Sequence, residues 1–256
     1  MASKKTYPRL SKAPIAMAIL EIRYNPPETL TNEGLDGVKK ALEKEYPIHS
    51  YTRNAELEFR PDQQNSTSLV HVKSNSISGI LLQSASRKQE IQLSIKSYNF
   101  KQHGSYTTWE DFKSVALDGW NKCRPFVKPE SINWLSVRYI NNVEIPFKEG
   151  ETVFPKDIFK TFIATEDESN LKALANYMLK FSHMDEKENL VIHFGQELLQ
   201  GQNGILPFIV DVDVIFNQSS ALFSDNEIAE KFDYLRQVKN EYFFNNLTKS
   251  TLNLLK

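Results

Sequence analysis

The longest uninterrupted strand pattern of the chain runs from Ile132 to Phe147. Apolar and polar residues alternate along it, as they do in a strand that buries one of its faces. One face carries Leu135, Val137, Tyr139, Asn141, Val143 and Ile145. Because Pro146 has no N–H to donate to a neighbouring strand, we expect the strand to end there. Arg138 lies in the middle of the opposite face and requires a carboxylate or carbonyl partner if it is buried.

Two further long strands are predicted from the same alternation. The first covers residues 14–24, and the second covers residues 205–216, after the turn at residues 200–204. Shorter strand patterns lie at residues 55–60, 69–73, 77–83, 90–96, 172–183 and 189–196. A polar loop at residues 61–67 and an acidic loop at residues 166–168 lie between some of these strands.

Apolar residues at helical spacing predict helices over residues 31–46, 107–125, 154–162 and 225–247. The second helix begins at Thr107 or Thr108, because each has an acid three residues on, which is the pattern of a capping box. Pro125 is expected to close it. Ser224 and Glu227 form a capping box for the last helix. Its apolar stripe runs through Ile228, Phe232, Leu235, Val238 or Lys239, Tyr242 and Asn246.

These elements define the fold class. Strands outnumber helices, and few connections have the length of a parallel crossover. The sequence therefore predicts an α+β fold, with a mostly antiparallel sheet and helices packed on one side. A meander, a helix or loop and a long strand occur in each half, which leaves open a duplication into two related lobes. We divide the chain into a loose arm (1–13), an N-terminal α+β lobe (14–148) and a C-terminal α+β lobe (149–256) that ends in a long helix.

The net charge and the cysteine content indicate which kinds of partner and which cellular compartment suit this protein. The 31 basic and 32 acidic residues give a net charge of −1, which is not the basic surplus of a general nucleic-acid-binding surface. Lys4, Lys5, Arg9 and Lys12 form a basic arm, so nucleic-acid contact through the arm stays an alternative. Cys123 is the single cysteine, which fits a reducing compartment. The apolar run at residues 15–20 is too short for a membrane span, so we expect a cytoplasmic protein that does not contact membranes.

Several segments resemble a sporadically distributed family of uncharacterised bacterial proteins of roughly 250 residues. The matching stretches are residues 13–23, 106–112, 135–146 and 210–213, together with the Phe-rich C-terminal helix. Met17 stands where this family usually carries an acid, so any site that uses the acid is altered here. The patchy occurrence of the family resembles that of phage-defence and toxin–antitoxin genes. The resemblance thus implies a bacterial setting of that kind and no particular activity.

Two groups of charged residues are candidates for a site. Asp211 and Asp213 share one face of the strand at residues 205–216 and could ligate Mg²⁺. The alternative that we favour is an ion pair between one of these aspartates and Arg138. Glu21 and Arg23 point the same way on the first strand and could line an anion site with Arg138. A structural network of ion pairs is the favoured interpretation here too.

Signatures of common enzymes are absent from the sequence. No two histidines have zinc-binding spacing, no phosphate-binding glycine loop occurs, and Cys123 has no catalytic motif around it. Tyr242, Phe243 and Phe244 are adjacent in the last helix and cannot all share one face, so one or two rings are expected to project outward or into a partner.

We therefore predict a non-enzymatic protein-interaction module without a cofactor, acting through a protein partner or through self-association, in phage defence or a toxin–antitoxin system. The alternative is a metal-dependent enzyme that processes nucleotides or phosphodiesters with Asp211 and Asp213.

Overall fold

The computed structural model of the chain describes residues 7–31, 35–61, 68–148, 150–163, 176–221 and 223–256. Within these residues the chain forms nine strands and five helices. The strands are β1 (Ile15–Asn25), β2 (Ile48–Pro61), β3 (Ser68–Gln83), β4 (Gln89–Ser94), β5 (Ser97–His103), β6 (Ser131–Pro146), β7 (Met178–Asp185), β8 (Leu190–Leu198) and β9 (Ile205–Ala221). The helices are α1 (Asp36–Leu42), α2 (Trp109–Val127), α3 (Pro155–Ile158), α4 (Asp225–Asn246) and α5 (Lys249–Leu254).

All nine described strands form one sheet in the order β2-β3-β4-β5-β1-β6-β9-β8-β7. Every neighbouring pair is antiparallel, which confirms the predicted α+β class with an antiparallel sheet. The sheet is continuous across the predicted lobe boundary at residue 148. β6 pairs with β1 on one side and with β9 on the other, so the two halves share their central strands.

Strand alternation places the core as the sequence predicts. On β1, Ala18, Leu20, Ile22 and Tyr24 are buried, and the predicted apolar faces of β6 and β9 are buried in the same layer. The long helices α2 and α4 pack on this layer. Trp120 of α2 lies against the rings of Tyr24 and Tyr98, with centroid distances of 5.6 Å to each. This burial of large aromatic and aliphatic side chains provides the main favourable term of folding.

Predicted helix starts agree with the structure better than predicted lengths do. The Thr108 side chain accepts from the N–H of Asp111, and Ser224 and Glu227 form the predicted capping box. The first helix is shorter than the predicted 31–46, because only Asp36–Leu42 is α-helical. Pro125 does not close α2, which continues to Val127.

The predicted strands at 55–60, 69–73 and 77–83 are wrong in their bounds, because they are parts of the longer β2 and β3. β5 was not predicted, since Lys101, Gln102 and His103 give its second half no apolar alternation. The predicted acidic loop at residues 166–168 and most of the polar loop at 61–67 lie outside the described residues. The predicted start of the strand at residue 172 lies outside them as well.

The N-terminal arm was predicted to be loose, and its described part, residues 7–13, is packed instead. The ring of Tyr7 stacks on Phe244 with a centroid distance of 4.8 Å. Leu10 packs against the core, and the N–H of Lys12 donates to the carbonyl of Leu255 at 3.1 Å. Two apolar side chains and one main-chain hydrogen bond thus hold the arm across the C-terminal helices.

Across the described parts of the chain, no helix is both long and apolar enough to pass through a membrane.

Candidate functional site

The face of the sheet opposite the buried layer carries a row of registered side chains that crosses eight strands. Each member is directly opposite the next in the strand pairing. The row consists of Gln83, Glu90, Lys101, Ile19, Arg138, Asp213, His193 and Ser182. Directly opposite residues are close enough for their side chains to interact. Arg138 and Asp213 therefore lie in one belt across the sheet, and Asp211, two residues from Asp213, is on the same face of β9.

Arg138 is paired as expected. Its Nε and Nη2 donate to Oδ1 and Oδ2 of Asp211 at 2.9 and 2.6 Å, a bidentate geometry that fixes both side chains. Asp213 instead accepts from the Ser136 hydroxyl at 2.7 Å. Burial raises the pKa of Asp213, although the Ser136 hydrogen bond and the Arg138 charge act in the opposite direction. Both aspartates therefore already have side-chain partners, Arg138 for Asp211 and Ser136 for Asp213.

Glu21 and Arg23 form a separate pair. Arg23 donates to Glu21 through Nε at 2.7 Å and through Nη2 at 3.3 Å. The Arg23 guanidinium also lies over the Trp134 ring, 4.3 Å from its centroid. Of the described residues, Lys180, His193, Asp211 and Asp213 line the groove beside Arg138, and Glu21 and Arg23 do not. The geometry is that of ion pairs and a cation–π contact and not of one joint anion pocket.

That groove, of about 380 Å³, contains a contact that sequence spacing does not reveal. The Ser182 hydroxyl and Nδ1 of His193 are 2.7 Å apart, and His193 is directly opposite Asp213. A nucleophilic triad needs the carboxylate to bind the histidine. Within the described residues Asp213 accepts from Ser136 and makes no hydrogen bond to His193. The arrangement therefore lacks the orienting bond of a triad.

Metal ligation by Asp211 and Asp213 would require ligands beyond these two carboxylates. The described part of the chain contains no group of three histidine, cysteine, aspartate or glutamate side chains placed to hold an ion. An ion bound there would also have to replace Arg138 as the partner of Asp211. The metal-dependent alternative stays a prediction that these contacts do not favour.

The aromatic triplet of α4 does not form one exposed patch. Phe243 is buried in the core, and Phe244 packs under Tyr7 of the arm. Tyr242 is partly buried, with His183 beside it at a centroid distance of 6.2 Å. The expectation that one or two of these rings project outward or into a partner did not account for the arm, which supplies an intramolecular partner for Phe244.

A cavity of about 810 Å³ lies beneath the arm, on the helix-covered side of the sheet. We call it the arm cavity. Its walls come from residues 7–13 of the arm and the two residues that follow, from residues 106–110 at and before the start of α2, and from β6 and α4. The polar side chains of its lining include Arg9, Lys12, Tyr106, Glu110, Tyr139, Arg236 and Lys239. The volume is in the range of small-molecule binding sites.

Lys239 is the unusual residue of the arm cavity. It is 7% exposed and lies at the centre of the buried stripe of α4. Its Nζ is 3.8 Å from the centroid of the Tyr139 ring, and no described carboxylate pairs with it. Burial, and then the charge of Arg236, lower its pKa to about 7. A buried amine without a carboxylate is costly to keep charged.

The arm cavity is positive although the chain is not. Among the described residues, four basic side chains line it, Arg9, Lys12, Arg236 and Lys239, and one carboxylate, that of Glu110. The whole chain has a net charge of −1. The N-terminus of α2 is also part of the wall, and the partial positive charge of a helix N-terminus adds to the same field.

Hydrogen bonds hold the walls of the arm cavity in place. Asp233 of α4 accepts from Nε1 of Trp109 at 2.6 Å and from Nζ of Lys113 at 2.7 Å, which ties α4 to α2. The hydroxyls of Tyr106 and Tyr139 bond to each other at 2.8 Å. These contacts fix the helix face that presents Lys239.

Sequence reasoning placed Val238 or Lys239 in the stripe and did not single out the lysine. The signal was present, since a lysine at the middle of an apolar stripe must be buried with or without a partner. Which of the two residues faces the sheet depends on the rotation of the helix, and the spacing alone leaves that open.

No protein-family model matches this chain, and no curated protein matches it. The resemblance to a sporadic bacterial family therefore stays a prediction. The case for function is made from the geometry.

Proposed function

We propose that this protein binds a small organic anion in the arm cavity. The observation that carries the proposal is Lys239, a buried amine without a carboxylate partner among the described residues, in a cavity lined by three other basic side chains and one carboxylate. A bound anion would provide the negative charge that no carboxylate of the described residues provides beside the Lys239 amine. The function is one of binding, with a carboxylate or phosphate as the recognised group.

The chemistry of the lining favours an organic anion over a bare inorganic ion. Arg236 offers a planar fork that suits carboxylate and phosphate oxygens, and Lys239 offers a point charge. The rings of Tyr139, Phe243 and Phe244 provide apolar walls beside these donors. Sites for small molecules combine such walls with a few polar groups that fix orientation.

The enclosure of Lys239 favours a small molecule over nucleic acid. The arm crosses the cavity and is held there by Tyr7 and Lys12, so a polymer backbone would reach only the rim. Arg9 and Lys12 of the predicted basic arm are at this rim, where they add to the field that attracts an anion. Lys4 and Lys5 lie outside the described residues.

Calorimetric titration with phosphate, citrate and adenosine monophosphate tests the proposal. The native chain is compared with Lys239→Met, which keeps the length of the side chain without its charge. Lys231→Met is the matched control, because Lys231 is on the same helix and its Nζ also lies over a ring, 4.0 Å from the centroid of Phe216.

We expect at least one probe to bind the native chain and the control alike. Loss of a charge-assisted hydrogen bond in Lys239→Met should weaken binding about tenfold or more. No heat with any of the three probes, or equal affinity in Lys239→Met, contradicts the proposal.

A second candidate is the protein-interaction module, which we propose acts by self-association through β7. Within the described sheet β7 is an edge strand, paired only with β8. Met178 and Met184 on it are 50% and 67% exposed. A long edge strand with exposed apolar side chains is a template for pairing with another chain, and two copies can pair about a two-fold axis.

Light scattering during size-exclusion chromatography tests this second candidate. A dimer of the native chain that becomes monomeric in the Met178→Lys, Met184→Lys double variant supports it. A native monomer at all concentrations contradicts it, and a partner from a phage-defence or toxin–antitoxin setting would then be needed to sustain the interaction hypothesis.

The topology also supports the two-lobe duplication, which we keep as a proposal. In the first half β1 pairs with the last strand, β5, and α2 follows. In the second half β6 pairs with the last strand, β9, and α4 follows. On this view the boundary between the lobes lies before β6 and not at residue 148, and the arm cavity lies between two corresponding helices.

A further inference from the structure

We infer that Lys239 condenses with the carbonyl group of an anionic aldehyde or 2-oxo acid and forms an imine in the arm cavity. This inference rests on the proposed anion site, and it names the class of ligand. The ligand would carry two groups, a carboxylate or phosphate and a carbonyl, recognised by two different side chains.

The position of Lys239 is that of a nucleophile and not of a structural cation. Two half-buried lysines of the described residues have carboxylate partners: Lys101 is paired with Glu90 at 2.8 Å and Lys122 with Glu45 at 2.9 Å. Lys239 makes no salt bridge in the described residues, yet it is 7% exposed and lines the cavity. Its side chain therefore forms part of the cavity wall, beside the ring of Tyr139.

The groups around Lys239 also favour the neutral amine. Arg236 on α4 repels a further positive charge, Arg9 and Lys12 on the arm line the same cavity, and Glu110 on α2 is exposed. Tyr139 on β6 and Tyr106 before α2 stay neutral, since burial raises the pKa of both phenols. Burial together with the charge of Arg236 lowers the pKa of the lysine to about 7, so near neutral pH a large share of the amine is unprotonated.

The condensation balances with these groups alone. The lone pair of neutral Nζ attacks the carbonyl carbon, and the C=O bond becomes a C–O bond of a carbinolamine. The carbinolamine then loses its oxygen as water, which takes up the two amine hydrogens, and a C=N bond remains. Protonation of the imine nitrogen from solvent gives a cation beside the anionic group of the ligand. No oxidant or reductant is consumed.

Arg236 and the tyrosine pair have separate roles in this arrangement. Arg236 is partly exposed and without a carboxylate partner in the described residues, so it binds the anionic group and leaves Nζ for the carbonyl. The bonded hydroxyls of Tyr106 and Tyr139, 2.8 Å apart, hold the Tyr139 ring in place under Nζ. The arm above them limits the access of bulk water that would hydrolyse the imine.

Reductive trapping with glyoxylate and borohydride at pH 7 tests the inference. Reduction of the imine leaves a carboxymethyl group on the amine, and peptide mapping by mass spectrometry locates it. We expect Lys239 to be modified ahead of the exposed lysines, because its neutral fraction at this pH is larger by a factor on the order of a thousand. Lys239→Met should carry no adduct at that position, and Lys231→Met should be modified at Lys239 as the native chain is.

A comparison of two aldehydes, one anionic and one uncharged, separates recognition of the anionic group from reaction at the carbonyl group. Arg236→Met should slow trapping of glyoxylate at Lys239 about tenfold more than it slows trapping of uncharged acetaldehyde, because loss of the Arg236 charge raises the pKa of the amine for both aldehydes and removes the anion partner only for glyoxylate. Adducts spread over exposed lysines without preference for Lys239 would overturn the inference. If phosphate, citrate or adenosine monophosphate still binds by calorimetry in that case, the imine is wrong and the anion site stands; if none of the three binds, both proposals fail.

Discussion

The side-chain nitrogen of Lys239 lies 3.8 Å from the centroid of the Tyr139 ring, between α4 and the central strand β6. A cation over an aromatic face is attracted by about 0.5 to 2 kcal/mol, which is less than the cost of burying an unpaired charge. The contact therefore holds the side chain in place without making its charged form stable. An anionic ligand in the arm cavity would stabilise the charged form of this amine.

This relationship predicts how stability depends on pH. The pKa of Lys239 is lowered to about 7 in the folded chain, and the ordinary value for the unfolded chain is about 10.4. Between these values the unfolded chain binds more protons, so the free energy of unfolding should rise with pH from 7.5 to 9.5, by up to about 1.4 kcal/mol per unit. Urea denaturation at several pH values measures it.

Lys239→Met is the control for that dependence. It removes the titrating group and should flatten the rise while increasing stability at pH 7.5, because a methionine fills the same space without a buried amine. Lys231→Met should keep the rise. An equally steep dependence in Lys239→Met would show that another group is responsible.

Asp233 is expected to stabilise the contact between α2 and α4. In Asp233→Ala the buried Nε1 of Trp109 loses its acceptor, which should lower the free energy of unfolding by about 1 to 2 kcal/mol. Glu230→Ala, at an exposed position of the same helix, should change it by less than about 0.5 kcal/mol. Equal effects of the two variants in urea denaturation would refute this role.

The Arg138–Asp211 ion pair is expected to contribute only modestly to the free energy of unfolding. Its side chains are 42% and 26% exposed, so solvent screens part of the attraction. A double-mutant cycle with Arg138→Met and Asp211→Asn should give a coupling energy of about 1 kcal/mol or less. A coupling of several kcal/mol would contradict this estimate and indicate that the belt of charged residues is more enclosed than its exposure suggests.

Cys123 should be unreactive in the folded chain. It is fully buried, and this burial raises the pKa of its thiol to about 12. Because the thiolate is the reactive form, Ellman's reagent at pH 8 should modify the protein only as fast as the core opens. The same reagent in urea gives the reference rate, and rapid modification without denaturant would place the thiol at the surface.

The spacing of apolar residues and the chemistry of single side chains predicted the strand faces, the helix caps and one strand end. The faces of β1, β6 and β9, the end of β6 at Pro146 and the caps Thr108 and Ser224 all follow from period and side-chain type. The order of the strands does not, because it depends on pairings between distant segments. β5 was missed for a related reason: its position between β4 and β1 stabilises a sequence that has little strand pattern of its own.

The candidate site was less predictable than the fold. Arg138 and Asp211 could be paired from strand alternation, and the structure contains that pair. The arm cavity depends on Tyr7 stacking on Phe244 and on the rotation of α4 that buries Lys239 instead of Val238. Neither is encoded in spacing over a few residues, and both result from packing between the two ends of the chain.

Proton uptake on binding tests the central claim most directly. An anion beside Lys239 raises the pKa of the amine, so at pH 8 the complex should take up a proton that the free protein lacks. Titration of citrate in Tris and in HEPES, which differ in ionisation enthalpy, measures this uptake. We predict uptake of a substantial fraction of one proton per citrate bound to the native chain and none in Lys239→Met. Binding of citrate with the same proton uptake in both chains would contradict the account.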